Sequence, residues 1–186
     1  MDNNMKQLMK ELKKSNGGHV FYCFDELETY IHNETLFIIS GVEQGNDIMV
    51  VENDRIFPFV YKKLQGQLND EQLKKVHHIN NFDFYCFEGD FHPNTMVDYF
   101  LRNVEGYMAN DVSLQTWGHV EWGGSEEVVF ESISEYEKGV NQIIAKKGMV
   151  SVCAYDECRL TPTLKSMLMK HHGVFMTDET CTIIAN

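Results

Sequence analysis

Positive charge is scarce in this sequence. Sixteen lysines and arginines stand against 28 aspartates and glutamates, a formal net charge of −12. Nucleic-acid affinity rests on basic side chains that neutralise phosphate, so DNA, RNA and anionic membrane surfaces are not expected partners. The short basic pairs, such as Lys13-Lys14, Lys74-Lys75 and Lys146-Lys147, read as solvated helix ends. Proline is rare too, at three residues, while aromatics make up 12%. That balance excludes a disordered chain. No run approaches the roughly 18 apolar residues that cross a bilayer, and residues 1–14 lack the apolar stretch of a secretory signal.

Several catalytic signatures are missing as well. There is no GxxxxGK[ST] phosphate loop and no GxGxxG, so the backbone cradle that such loops offer a nucleotide is absent. Gly17-Gly18 precedes the first expected strand, the wrong side for such a loop. HExxH, GxSxG and CxxC are also absent. The five cysteines, an odd number, with no signal sequence, argue for reduced thiols and a cytoplasmic setting. Cys23, Cys86 and Cys153 lie in apolar runs and read as small core residues. Cys158 follows Asp156 and Glu157, whose charge disfavours a thiolate. His77-His78 and His171-His172 are adjacent pairs; neighbours diverge on a strand or a helix, so neither pair chelates by itself. The expectation is no metal, no cofactor and no catalytic residue.

What is present is alternation. An amphipathic helix over residues 5–14 carries Met5, Leu8, Met9 and Leu12 on one face. Strands are expected at His19 to Phe24, Asp47 to Val51, Phe82 to Phe87, Val112 to Val120 and Met149 to Tyr155, with a closing hairpin from Val174 to Met176 and Thr182 to Ile184. Helices are expected from Asp25 to Gly45, with Leu27, Tyr30, Ile31, Glu34, Ile38 and Val42 at helical spacing, and after Asn53. Others are Asp70 to Lys75, Asn94 to Asn110, Glu126 to Lys147, and Pro162 to His171 behind a Thr161 cap. This pattern implies an α/β fold: a mainly parallel sheet flanked by helices on both faces. The domain reading is an N-terminal helical extension, residues 1–16, and one domain, residues 17–186.

Ligands of such sheets lie beyond the carboxyl ends of the strands. There the sequence sets Trp117, His119 and Glu121 after one strand, Tyr155 and Asp156 after another, and His92 (with Glu88 and Asp90) after a third. Aromatic walls with a few polar groups suit a small organic molecule. Trp117, His119, Glu121, Tyr155, Asp156 and His92 are therefore the candidate ligand-binding residues. His19, at the start of its strand, is expected to be structural.

The same residues carry a family resemblance. His19-Val20-Phe21-Tyr22, Phe91-His92-Pro93, Trp117-Gly118, Glu135-Tyr136-Glu137, Val152-Cys153-Ala154-Tyr155-Asp156 and Met169-Lys170-His171-His172, in that order, resemble the MEDS family. This is the sensory domain of methanogen and methylotroph regulators of the DcmR type. The resemblance implies a RecA-like three-layer sandwich without a working phosphate loop, and a signal-sensing role for small organic ligands. It departs from the family at Gly118-His119-Val120-Glu121-Trp122. No output module fits before His19, so the expected output is a signalling partner in trans, with self-association left open. Two other readings stand beside it: an enzyme, metal-dependent or not, using the strand-end cluster, and a protein-binding adaptor that has lost its ligand.

Overall fold

A computed structural model describes Met5, Leu8, Leu12 and residues 17–85, 92–109, 112–124 and 126–184. Seven strands form one sheet: β1 (Gly18–Phe24), β2 (Asp47–Glu52), β3 (Val76–Asn80), β4 (Leu114–His119), β5 (Val150–Asp156), β6 (Val174–Thr177) and β7 (Cys181–Ile183). Their spatial order is β3-β2-β4-β5-β1-β6-β7. All pairings are parallel except β6 with β7. The helices are α1 (Leu27–Glu43), α2 (Phe57–Gln65), α3 (Asp70–Leu73), α4 (Asn81–Tyr85), α5 (Pro93–Met108), α6 (Glu126–Lys147) and α7 (Pro162–His171).

Strand periodicity sorts the core into two layers. Val20, Tyr22, Ile48, Val50, Trp117, Val152 and Ala154 face α1 and α2, where Tyr30, Phe37, Ile38, Val60 and Leu64 meet them. The alternate residues, Phe21, Cys23, Met49, Val51, Cys153 and Tyr155, face α5, α6 and α7. Both faces are covered, so the central strands are buried along their length and largely apolar: Val150, Val152, Cys153 and Ala154 are all buried, as parallel sheets require, and the buried Ser151 and Thr116 hydroxyls pair with each other across β4 and β5. Met5, Leu8 and Leu12 are buried against the α1 layer; Met9 lies outside the described residues.

The direction of each crossover sets its face. β1 to β2 and β2 to β3 step one way across the sheet and use α1, α2 and α3. The steps from β3 to β6 go the other way and use α5, α6 and α7. A right-handed crossover rule demands this segregation.

Three sequence expectations are corrected. Phe82 to Phe87 was expected to be extended, but Asn81–Tyr85 is helical. The Asn80 side chain accepts from the amides of Phe82 and Asp83 at 2.9 and 3.2 Å, turning the chain at the end of β3; Cys86 and Phe87 lie outside the described residues. Leu27, one of the helically spaced residues expected to face inward, is exposed. Asp25 was expected to cap α1, yet the amides of Asp25 and Glu26 donate to the Asp178 carboxylate at 3.0 and 2.9 Å.

Candidate functional site

Adjacent strands whose onward helices lie on opposite faces leave a crevice at their carboxyl ends. β2 and β4 are such a pair: β2 leads to α2, β4 to α6, and these pack on opposite layers. Apolar β2 ends in Glu52, fully buried. Its carboxylate takes His119 Nδ1 at 2.8 Å, the Asn53 amide at 2.6 Å and the Tyr30 hydroxyl. Trp117 Nε1 donates to that hydroxyl at 3.0 Å. Just outside, the half-buried Glu121 accepts from Asn81 Nδ2 at 2.5 Å and from Asn53 Nδ2 at 3.3 Å. Thus β2, β3 and β4 each end in polar residues that converge on one place.

The electrostatics follow from this packing. Burial pulls the His119 pKa down, but the hydrogen bond and charge of Glu52, aided by Glu121 and Asp156, outweigh it and leave the pKa raised. Burial would raise the carboxyl of Glu121; His119, Asn81, Asn53 and Arg159 together hold it below the usual carboxylate range. Glu34 lies fully buried on α1, and neither of its oxygens has a hydrogen-bond partner. Burial, then the neighbouring Glu52, push its carboxyl well up, which favours the neutral acid.

The sequence candidates divide. Trp117, His119 and Glu121 join this one network. Asp156 lies near enough to bear on His119, while its side chain caps the following turn by accepting from the Cys158 amide at 2.9 Å. Tyr155 does not belong to it. Trp117 and Tyr155 are both fully buried on opposite faces of the sheet, because their positions on paired strands differ in parity: Trp117 lies beside Val152, three residues before Tyr155. They do not line one pocket. His92 is exposed at the N-cap of α5 and makes no capping bond; Glu88 and Asp90 lie outside the described residues. Glu52, Asn53, Asn81 and Tyr30 were missed. A charged residue closing the apolar run Asp47 to Val51 was the available signal for Glu52.

A second polar group is buried on the other face. His19 on β1, Cys153 on β5, Glu137 on α6 and His172 after α7 bring one donor atom each to within 4.8 Å of the others. The Tyr155 hydroxyl donates to Glu137 Oε1. Burial would raise the Glu137 carboxyl, but His172 and His19 hold it well below the usual range. Burial, then the neighbouring His172, pull His19 down to about 4, whereas burial and Glu137 push the Cys153 thiol well up.

Between β1 and α1, where a phosphate loop would stand in a nucleotide-binding relative, there are only Asp25 and Glu26. The carboxylate of Asp178, from the β6–β7 turn, accepts their amides and takes the Tyr22 hydroxyl at 2.5 Å. An internal carboxylate occupies this helix entrance, and both residues of the entrance are themselves acids.

This architecture is that of the RecA-like ATPase domains. One ATPase domain of known structure matches with a TM-score of 0.60 and 6% identity, over 87% of this chain and 69% of that one. The flagellar accessory protein FlaH from Methanocaldococcus jannaschii matches with a TM-score of 0.53 and 11% identity, over 87% and 70%. At such identities the likeness is one of fold alone. No curated protein matches in sequence. The family model of the MEthanogen/methylotroph, DcmR Sensory domain (MEDS) covers residues 18–173, and the chain belongs to that family. Among the described residues no helix is long and apolar enough to cross a membrane.

Proposed function

We propose that this chain is a sensory unit that binds a small organic ligand in the crevice between β2 and β4, and that its bound state is read by a separate signalling protein in the cytoplasm. Family membership supports the sensory role. The observation that carries the ligand site is the convergence of Glu121, Asn53 and Asn81 at a topological switch point, over the buried Glu52–His119 pair. A carboxylate held in its charged form favours a ligand that donates a hydrogen bond, such as a small alcohol or amine. The blocked entrance of α1 supports a ligand other than a nucleotide. The ligand acts on the partner only through its different affinity for two states of the domain.

Small alcohols and amines, screened by thermal shift on the purified chain, test this reading. A ligand at a hundred times its Kd stabilises the folded state by about 2.7 kcal/mol. The expected result is a hit whose affinity falls at least tenfold in Glu121→Ala, whose side chain is only half-buried. A hit equally strong in that variant, or none across the panel, overturns the site.

A further inference from the structure

The buried group on the opposite face has the make-up of a metal centre. Both histidines are fixed through Nδ1 on main-chain carbonyls: His19 on His171 O at 3.2 Å and His172 on Leu168 O at 2.7 Å. Each therefore turns a bare Nε2 inward, the orientation that ligating histidines owe to their outer partners. His19 Nε2 lies 3.3 Å from Glu137 Oε2 and 3.2 Å from Cys153 Sγ; His172 Nε2 lies 3.3 Å from the same carboxylate oxygen. Neither Glu137 Oε2 nor His172 Nε2 has a hydrogen-bond partner, although both residues are fully buried. Two buried polar atoms that lie 3.3 Å apart without a well-formed hydrogen bond are costly, and a cation between them would satisfy both.

The spacing suits a particular ion. Zinc bonds to nitrogen and oxygen of about 2.0–2.1 Å give a tetrahedron with edges of about 3.3 Å, the separation of Glu137 Oε2 from each of the two histidine Nε2 atoms. A thiolate with two imidazoles and a carboxylate is a borderline-soft set that suits zinc over magnesium or calcium. We propose that His19, Glu137, Cys153 and His172 bind one zinc-class divalent ion. Four protein donors close the shell, which is the habit of a structural site, and the ion ties α6 and α7 to β1 and β5. The Tyr155 hydroxyl on Glu137 Oε1 orients the carboxylate, a positioning role. Coordination displaces the Cys153 proton, which is released to solvent. Ser134, Phe130, Met167 and His171, neighbours in sequence of Glu137 and His172, line an open groove between α6 and α7. This inference does not depend on the ligand crevice, and it reverses the sequence expectation of no metal and of a purely structural His19.

The test is elemental analysis of the full chain purified without chelator, followed by cobalt(II) titration of the stripped, still folded protein. The expected result is about one zinc per chain and, with cobalt, intense tetrahedral bands plus a thiolate-to-cobalt charge-transfer band. Cys153→Ser removes that charge-transfer band, and Tyr155→Phe weakens cobalt binding about 10- to 100-fold. Glu121→Ala leaves both unchanged, which separates this site from the crevice. Should Cys153→Ser fail to fold, Tyr155→Phe and Glu137→Gln decide by their cobalt affinity. A folded wild-type chain that retains no zinc and gives only the pale octahedral cobalt spectrum overturns the proposal. So does a charge-transfer band that survives in Cys153→Ser, or cobalt affinity unmoved in both Tyr155→Phe and Glu137→Gln.

Discussion

His119 is where packing and charge compete most openly. It is buried under Phe24 and Tyr30, and the acids facing it are Glu52 from β2, Glu121 beyond β4 and Asp156 from β5. Their combined effect raises its pKa above the ordinary 6.5. A histidine with a raised folded pKa contributes stability that is fully present below its unfolded value and is lost as pH rises through the folded one. Replacing His119 with Gln is therefore expected to lower the melting temperature most near pH 6. The deficit, about 1.5–3 kcal/mol for a hydrogen bond to a charged group, should shrink by pH 9. Thermal melts of both proteins at pH 6, 7, 8 and 9 check the trend, and a deficit that grows with pH contradicts it. Trp117 is a poor probe of ligand binding by comparison. It is fully buried against Tyr22, Tyr30 and Phe37, so its replacement by Ala should cost about 3–5 kcal/mol of stability in its own right. Gly118 beside it is constrained by contact: a Cβ there would come within 2.9 Å of the Tyr85 hydroxyl.

At the level of elements, the β6–β7 hairpin is joined to the start of α1 by one side chain. Asp178 accepts from two amides and from the Tyr22 hydroxyl, doing from far along the sequence what a local N-cap residue usually does. The cap position itself, Glu26, makes no side-chain capping bond. Asp178→Ala should cost about 0.5–2 kcal/mol, the range of a lost cap, and should raise hydrogen exchange first at the amides of Asp25 and Glu26. Unchanged protection there would mean that the contact carries no stability. The same substitution also tests whether the helix entrance is blocked or merely unsuited: with Asp25 and Glu26 retained, no phosphate affinity is expected to appear.

Across the whole molecule, fold and charge point in different directions. The sheet is that of RecA-like ATPase domains, but the sequence has no phosphate loop, a net charge of −12 and an internal carboxylate at the first helix. Calorimetry with magnesium and ATP is expected to show no binding at micromolar concentrations. Micromolar, magnesium-dependent affinity would refute this. A shared fold does not carry activity, which resides in the residues placed on it.

Much of the architecture was legible because it follows from local rules. Alternating apolar runs and amphipathic segments imply a parallel sheet with two helical layers. Pro162 behind Thr161 sets the start of α7, and the Thr161 hydroxyl does accept from the Leu164 amide at 3.2 Å. Apolar continuity marked β5 as a buried strand, and it is the fourth of seven. The family phrases were equally readable. Local pattern failed at Phe82 to Tyr85, where aromatic residues suited to a strand form a helix behind the Asn80 cap. It failed again for Tyr155, since a strand's end says where a residue lies along the sheet and not which face it joins; parity against the neighbouring strand decides that. The two polar centres were the least accessible. Glu52, His119 and Glu121 meet only because β2 and β4 are neighbours, and His19, Glu137, Cys153 and His172 come from four elements separated by up to 153 residues. Composition and periodicity determined that there would be a doubly covered sheet; strand order and register decided which charges share a space, because those depend on contacts between segments that no local pattern encodes.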